Sequence, residues 1–128
     1  SVVVEFRPRS DCQWQCLSAV FLGDLGESAQ SRLASSQNLA QVDVVKVSHH
    51  GSGDQYPALY VELQATLGLI GVGADNGYGH PTDSALAMLA EAGTAVARSD
   101  LRGLVLVSPT SRSGVVSVWS ERDVGARH

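Results

Sequence analysis

Residues 42–52, in the middle of the chain, read VDVVKVSHHGS. The first six residues of this stretch are mostly aliphatic and β-branched, which is typical of a strand buried on both faces of a sheet. Gly51 then lets the backbone turn away from the strand direction. The stretch therefore predicts a buried strand at 42–47 that ends beside two adjacent histidines, His49 and His50.

Strands and short helices alternate on both sides of this stretch. Short apolar runs bounded by turn formers predict further strands, the last two as a hairpin, at 2–6, 16–22, 67–72, 94–98, 103–107 and 115–119. Apolar residues spaced along one face predict helices at 27–35, 57–65 and 84–92, and Thr82 is placed to cap the third of them. The alternation predicts an α/β fold in which a mixed sheet is covered by about three helices.

The bulk composition limits the class of protein. The 128 residues suffice for one domain or for part of a larger one, and 44% hydrophobic residues suffice for a core. The formal net charge of -4 argues against strong non-specific binding of nucleic acid through bulk charge. No apolar run reaches the ~20 residues that span a bilayer, and the chain opens on a strand without the charged start of a signal peptide.

The two cysteines, Cys12 and Cys16, have the spacing C-x3-C. This spacing is a weak signal for a metal, because a closed zinc site needs about four ligands. We interpret the two residues as a reduced pair in or beside a strand, which is how cytosolic proteins use cysteine.

Asp24 follows the strand predicted at 16–22 and has Gly23 directly before it. A carboxylate held rigidly after a buried strand can approach cations closely and can bridge two metal ions. An aspartate in this position is also common as the N-cap of the next helix. Both interpretations stay open on the local sequence.

The His-His-Gly-Ser stretch gives the next candidates. Imidazole suits zinc and other first-row metals. If the strand continues through His49 and His50, their rings point in opposite directions, so that one can face a metal while the other packs against the protein. Ser52 can either cap the following element or bond a substrate oxygen.

The loop at 76–81 reads NGYGHP, and its two glycines and its proline restrict the loop to a particular shape around His80. A loop of fixed shape that presents a histidine can supply a proton donor or a further metal ligand. The alternative is an ordinary turn before the helix at 84–92, with an exposed His80.

Taken in chain order, the LGDL stretch at 22–25, the KVSHHGS stretch at 46–52 and the NGYGHP loop resemble the C-terminal hydrolase domain of the ComEC/Rec2 DNA-uptake proteins. The resemblance runs over about residues 2–119. It implies the C-terminal half of a metallo-β-lactamase-like αββα sandwich, so that residues 1–128 are a single partial domain with a frayed tail at 124–128.

The resemblance also implies a function and a location. ComEC/Rec2 proteins form an inner-membrane channel for single-stranded DNA in bacteria, and the chain would be a soluble domain of such a protein. The complete domain would be a metal-dependent phosphodiesterase or nuclease that acts on the DNA strand that is not imported.

The resemblance implies a role for each candidate residue. Asp24 matches the aspartate that bridges two metals, and one of His49 and His50, with His50 favoured, matches a histidine ligand. His80 matches a histidine at the edge of the site, as a ligand, a proton donor or a phosphate contact, and Ser52 is a candidate catalytic residue beside it. Zinc or manganese is the metal expected in the complete domain.

One departure from the family pattern changes the expected function of the chain. The His-x-His-x-Asp-His cluster of the superfamily is absent from the sequence, whose histidines are His49, His50, His80 and His128. A catalytic dinuclear zinc centre needs about three protein ligands per metal. We therefore expect the isolated chain to be inactive and to bind metal weakly or not at all.

Two alternatives to the nuclease stay open. The first is a non-catalytic lactamase-fold module that binds DNA or a partner. The second is a phosphodiesterase or esterase with a substrate other than DNA. DNA is expected as a partner from the resemblance alone.

A half-domain has a physical consequence for association. The loss of one layer of a sandwich exposes apolar surface, and such surfaces drive association. We therefore expect the missing N-terminal half of the domain, or a second copy of the chain in a homodimer, to cover this surface.

Overall fold

The structure, a computed structural model, describes residues 2–75 and 77–122 and has a five-stranded mixed sheet at its centre. The strands cross the sheet in chain order: β1 (Val4–Phe6), β2 (Ala19–Phe21), β3 (Val44–Lys46), β4 (Leu67–Ile70) and β5 (Ala95–Arg98). β1 is antiparallel to β2, and the other neighbouring pairs are parallel. The predicted mixed sheet of an α/β protein is confirmed, while its metallo-β-lactamase-like form stays a prediction.

A helix connects each parallel pair of strands: α1 (Glu27–Ser36), α2 (Pro57–Leu63) and α3 (Asp83–Glu91). Such crossovers are nearly always right-handed, and because all three step in the same direction across the sheet, the helices lie on one of its faces. α2 packs against both α1 and α3. The core fills the space between the helices and the sheet, and includes Val20, Leu22, Val45, Val47, Leu59, Tyr60, Leu63, Ile70, Met88 and Leu89.

The opposite face of the sheet is only partly covered, by a hairpin of β6 (Val105–Pro109) and β7 (Val116–Ser120). Leu104 and Val105 line one cleft together with Leu69 and Ala97 of the sheet. Several apolar side chains stay exposed on the uncovered part of this face and on the outer side of the hairpin. We call this set the open face; it consists of Val4, Phe6, Phe21, Leu106 and Trp119.

Every predicted strand and helix is present, and most strands are shorter at their ends than predicted. Thr82 caps α3 as predicted, because its hydroxyl accepts a hydrogen bond from the backbone N–H of Ala85 at 3.2 Å. A fourth helix, α4 (Ser99–Arg102), was not predicted. Its four residues are too few for an apolar periodicity to be visible in the sequence.

The predicted reduced state of Cys12 and Cys16 is wrong, because the two residues form a disulfide. The segment that holds them is bent rather than extended: the N–H of Cys12 donates to the carbonyl of Arg9 at 2.9 Å, and Gln15 is left-handed with φ 53°. The bend brings the two Cα atoms to 6.1 Å, within the span of a disulfide. The spacing of the cysteines alone does not show such a bend.

Two predicted features lie outside the described residues: the frayed tail at 124–128, and Asn76 in the NGYGHP loop. Within residues 2–75 and 77–122, none of the helices combines the length and the apolar character that crossing a membrane requires. The assignment of 1–128 to a single partial domain stays a prediction.

Candidate functional site

Three loops lie at the carboxyl-terminal edge of the parallel strands, directly after β2, β3 and β4. They carry Asp24, the pair His49 and His50, and His80. The carboxyl ends of parallel strands are where α/β proteins build binding sites. The topology therefore places all three predicted motifs at one edge of the sheet.

Backbone hydrogen bonds tie these loops to one another. The N–H of His49 donates to the carbonyl of Gly23 at 2.9 Å, and the N–H of Thr82 donates to the carbonyl of Gly51 at 3.0 Å. The loop after β2 and the loop after β4 are thus both hydrogen-bonded to the loop after β3. Gly51 also packs so closely on the last loop that a Cβ atom in its place would lie 2.7 Å from Cβ of Pro81.

The two histidines do not continue the strand; they lie in a short turn, Ser48–Gly51, whose backbone is not helical at either histidine. His49 has φ 51° and His50 has φ 55°, both left-handed, and Gly51 follows with φ 79°. A left-handed conformation at a residue other than glycine costs on the order of 1–3 kcal/mol, and residues of this kind concentrate at functional sites. The surrounding structure must hold this turn in place.

A buried set of polar side chains supports the turn from below. Ser48 is fully buried; its hydroxyl donates to the carbonyl of Leu25, and its N–H donates to the hydroxyl of Tyr60 at 3.3 Å. The side-chain amide of Gln55 donates to the carbonyls of Ser48 and Ser52 at 3.0 and 2.9 Å. These bonds fix both ends of the turn and attach it to the loop after β2.

Gln30 of α1 extends this support. Its amide group donates to Leu25 O at 2.7 Å and to Gln55 Oε1 at 2.9 Å, and its own oxygen accepts from the N–H of Tyr56 at 2.8 Å. Tyr60 donates to the same Gln55 oxygen at 2.7 Å. We call Gln30, Ser48, Gln55 and Tyr60 the support network. The sequence did not predict Gln30, Gln55 and Tyr60 as part of the site. In the sequence they appear only as polar groups in or next to helices with an apolar face.

Burial in this network raises the pKa of Tyr60 to about 12 from 10.0. Desolvation of the phenolate is the larger cause, and the hydrogen bond from the Ser48 N–H opposes it. The neutral hydroxyl is therefore the form that the folded protein holds beneath the turn.

Ser52 lies at the end of the turn and is 5% exposed. Its hydroxyl accepts a hydrogen bond from the N–H of Asp54 at 3.3 Å. This contact closes a small turn between Ser52 and Asp54; the next helix, α2, has Tyr56 as its N-cap, so Ser52 does not cap that element. A direct part of Ser52 in a reaction stays a prediction.

The three predicted histidines lie together. The ring centroids of His49 and His80 are 5.6 Å apart in an edge-to-face arrangement, and those of His49 and His50 are 6.3 Å apart. The ring centroid of Tyr78 lies 6.1 Å from that of His80. His49 and His50 are exposed and His80 is partly buried, so the cluster is open to a ligand from solvent.

His50 is fixed in one tautomer by the backbone. Its Nδ1 lies 2.6 Å from the carbonyl of Gly71, and because a carbonyl oxygen only accepts, Nδ1 carries the proton. The lone pair is then on Nε2. A hydrogen bond from the second ring nitrogen to a backbone carbonyl is how metal-binding histidines are typically oriented.

Asp24 is exposed on the same edge and interacts electrostatically with Lys46, the last residue of β3. The pKa of Lys46 is lowered, chiefly by burial, and the charge of Asp24 partly offsets this effect. Among residues 2–75 and 77–122, no three His, Cys, Asp or Glu side chains are grouped so that they could hold a metal ion. The described residues alone therefore do not fit a zinc or manganese centre.

These observations define an α/β protein with a histidine cluster at the carboxyl edge of a parallel sheet and an exposed carboxylate, Asp24, in the loop after the neighbouring strand. Over 108 residues, 84% of its length, the chain is 30% identical to ComE operon protein 3 of Bacillus subtilis (strain 168). The chain is thus a homologue of part of that protein, which confirms the resemblance to the ComEC/Rec2 proteins. It spans 14% of the relative's length.

No protein-family model matches the chain, and no solved structure matches it.

Proposed function

We propose that the chain is one part of a hydrolase domain in a DNA-uptake protein, and that the complete domain cleaves phosphodiester bonds in the DNA strand that is not imported. The observation that carries the proposal is the grouping of His49, His50 and His80 at one edge of the sheet. These histidines lie in motifs of a chain that is homologous to part of ComE operon protein 3.

The proposed roles of the residues follow from their surroundings. His50 is the better metal ligand of the pair, because the Gly71 carbonyl holds its Nδ1–H and leaves Nε2 for a cation. Asp24 is the proposed bridging carboxylate, and His80 the proposed proton donor or phosphate contact. Ser52 is the proposed contact for a substrate oxygen, since its hydroxyl accepts from the N–H of Asp54 and keeps its own O–H to donate.

The remaining ligands for zinc or manganese must come from outside the described residues, because these contain no complete ligand group. We propose that the N-terminal half of the domain supplies them and packs on the open face. A second copy of the chain is the alternative partner for this surface. The parent protein is proposed to reside in the bacterial inner membrane.

The test compares two polypeptides with single-stranded DNA and Mn²⁺ or Zn²⁺. We expect the chain alone to be inactive, and a longer polypeptide that includes the preceding half of the domain to cleave DNA. Asp24→Ala should abolish this cleavage. Asp11→Ala is the matched control, because Asp11 forms only an exposed ion pair with Arg9, and such pairs contribute little. Metal-dependent DNA cleavage by the chain alone that is lost in Asp24→Ala would refute the proposal that the chain holds only part of the metal site.

The absence of a complete ligand group among the described residues favours a second candidate function, a non-catalytic module that binds DNA or a partner. The two functions differ in the longer polypeptide. A module would bind DNA there without cleavage and without a response to Asp24→Ala. An esterase or phosphodiesterase with another substrate would cleave its own substrate but leave DNA intact.

A further inference from the structure

A pocket of about 300 Å³ opens beside the histidine cluster. Its lining is His50, Gly71, Val72, Gly73, Tyr78 and His80. The volume lies at the small end of the range for ligand sites, and most of the lining is glycine, valine and aromatic carbon rather than charged groups. The pocket therefore suits a small, flat, mostly apolar group better than a phosphate.

Tyr78 stands at the rim of this pocket and is 86% exposed, more than any other exposed large hydrophobic residue in the described part of the chain. Its ring is inclined by 31° to the ring of His80. It buries almost no surface, so the stability of the fold does not account for an aromatic residue here. Gly77 and Gly79 flank it, and a Cβ at either glycine would meet nothing within 4 Å, so the loop projects into open space.

We propose that Tyr78 is a stacking platform for one base of single-stranded DNA, with Val72 and the glycines at 71 and 73 as the wall of the base pocket. This inference rests on the proposed function, because it names the part of the DNA that the same site would hold. Every nucleobase has a flat face, so stacking of this kind tolerates any sequence. With a base held beside His80, the phosphate group of the same nucleotide would lie near the histidine cluster.

The charge of the chain favours a contact of this kind over one to the phosphates. With 9 Lys and Arg against 13 Asp and Glu, the chain attracts the phosphate backbone only weakly through bulk charge. Affinity for a DNA strand must then come to a larger extent from the bases. An exposed aromatic ring over an apolar pocket supplies this contribution.

The experiment measures binding without metal, in EDTA, by fluorescence anisotropy of a labelled oligothymidine of about eight nucleotides. The chain is compared with Tyr78→Ala, with Tyr78→Phe, which keeps the ring, and with Trp14→Ala, which removes an exposed aromatic residue outside the pocket. We expect Tyr78→Ala to weaken binding by about 5- to 100-fold, and the other two variants to bind within about 2-fold of the parent chain.

A second ligand, an abasic oligonucleotide of the same length, separates bases from phosphates. We expect Tyr78→Ala to bind it as the parent chain does. Unchanged oligothymidine binding in Tyr78→Ala, or an equal loss for the abasic strand, would overturn the proposal. Competition by thymidine monophosphate as strong as that by the oligonucleotide would also overturn it, in favour of a free nucleotide as ligand.

Because metal and cleavage play no part in this measurement, its outcome is independent of the hydrolysis test. If the protein binds DNA through its bases but the longer polypeptide never cleaves DNA, the stacking site is supported and the proposed hydrolase is refuted. If the longer polypeptide cleaves DNA without base-dependent binding, the hydrolase is supported and the stacking site is refuted.

Discussion

Gly51 shows how a single residue fixes the site. Its left-handed backbone follows two left-handed histidines, and its missing side chain is what lets Pro81 of the last loop pack on the turn. Two requirements, one of conformation and one of space, therefore fall on the same position. The relative placement of His50 and His80 depends on both.

The two requirements can be separated with a matched pair of variants. In Gly51→Ala, the new Cβ sits on a left-handed backbone and also lies too close to Pro81. In Gly93→Ala, the backbone is left-handed as well, with φ 78°, but no atom lies within 4 Å of the new Cβ. An alanine in this conformation costs about 1–2 kcal/mol. We expect Gly51→Ala to lower the free energy of unfolding by at least ~1 kcal/mol more than Gly93→Ala in urea denaturation. Equal losses would mean that the contact with Pro81 carries no cost.

At the scale of elements, the support network joins α1 and the start of α2 to the histidine turn. Gln30, Gln55 and Tyr60 satisfy one another and the backbone of the turn at once. A network of this kind stabilises only when it is complete, because a buried polar group without a partner costs about 1–3 kcal/mol. The turn is thus held by the helical layer and not by the strand that leads into it.

The raised pKa of Tyr60 gives this network a pH dependence. The folded-state pKa of about 12 lies above the unfolded value of 10.0, so the stabilisation is complete below pH 10 and is lost as the pH rises through 12. The loss corresponds to about 2–3 kcal/mol for a shift of this size. Tyr60→Phe should be less stable at neutral pH, by about 1–3 kcal/mol, and should lose less stability than the parent chain above pH 10.

Chemical denaturation at several pH values between 8 and about 12 measures this difference. Tyr78→Phe is the control, because it removes the hydroxyl of an exposed tyrosine. Parallel curves for the parent chain and Tyr60→Phe would show that the phenol does not titrate with unfolding.

Only some of these elements and contacts could be predicted from the sequence. Apolar periodicity predicted the strands and three helices, and Thr82 as a cap, because these depend on neighbours a few residues apart. The left-handed histidines and the support network depend on contacts between distant segments; Gln30 and Gln55, for example, are 25 residues apart. The disulfide depends on a local bend between Cys12 and Cys16, which their spacing alone does not show. The motifs predicted which residues gather at the site, but not the side chains that hold them.

At the scale of the whole molecule, the sheet has one face under helices and one face partly bare. Phe6 and Trp119 on the open face are 59% and 54% exposed. Phe6 packs edge-to-face on Phe21, with ring centroids 5.8 Å apart, so the two exposed rings form one aromatic patch. Contiguous apolar surface of this kind typically contacts another protein layer.

We expect the isolated chain to form a dimer through this face when the N-terminal half is absent. Size-exclusion chromatography with light scattering should give twice the chain mass at micromolar concentration. Phe6→Ser should shift the chain toward monomer, whereas Val61→Ser, which removes a side chain of similar exposure on α2, should not. A monomeric parent chain would contradict the prediction.

The order of the strands across the sheet also bears on how the protein is made. Each parallel strand pairs with the one that precedes it in the chain, through a single helix. During synthesis, every new strand–helix unit can therefore dock on the unit just completed, without waiting for a distant segment. Each pairing nevertheless closes a loop that contains a whole crossover helix, since Ala19 pairs with Val44, Val44 with Leu67 and Leu67 with Ala95. Parallel pairing of this kind forms slowly, because the loop must close before the strand contacts are made. In chain order, the pairing of β2 with β3, which leads into the histidine turn, is the first parallel pairing that can form.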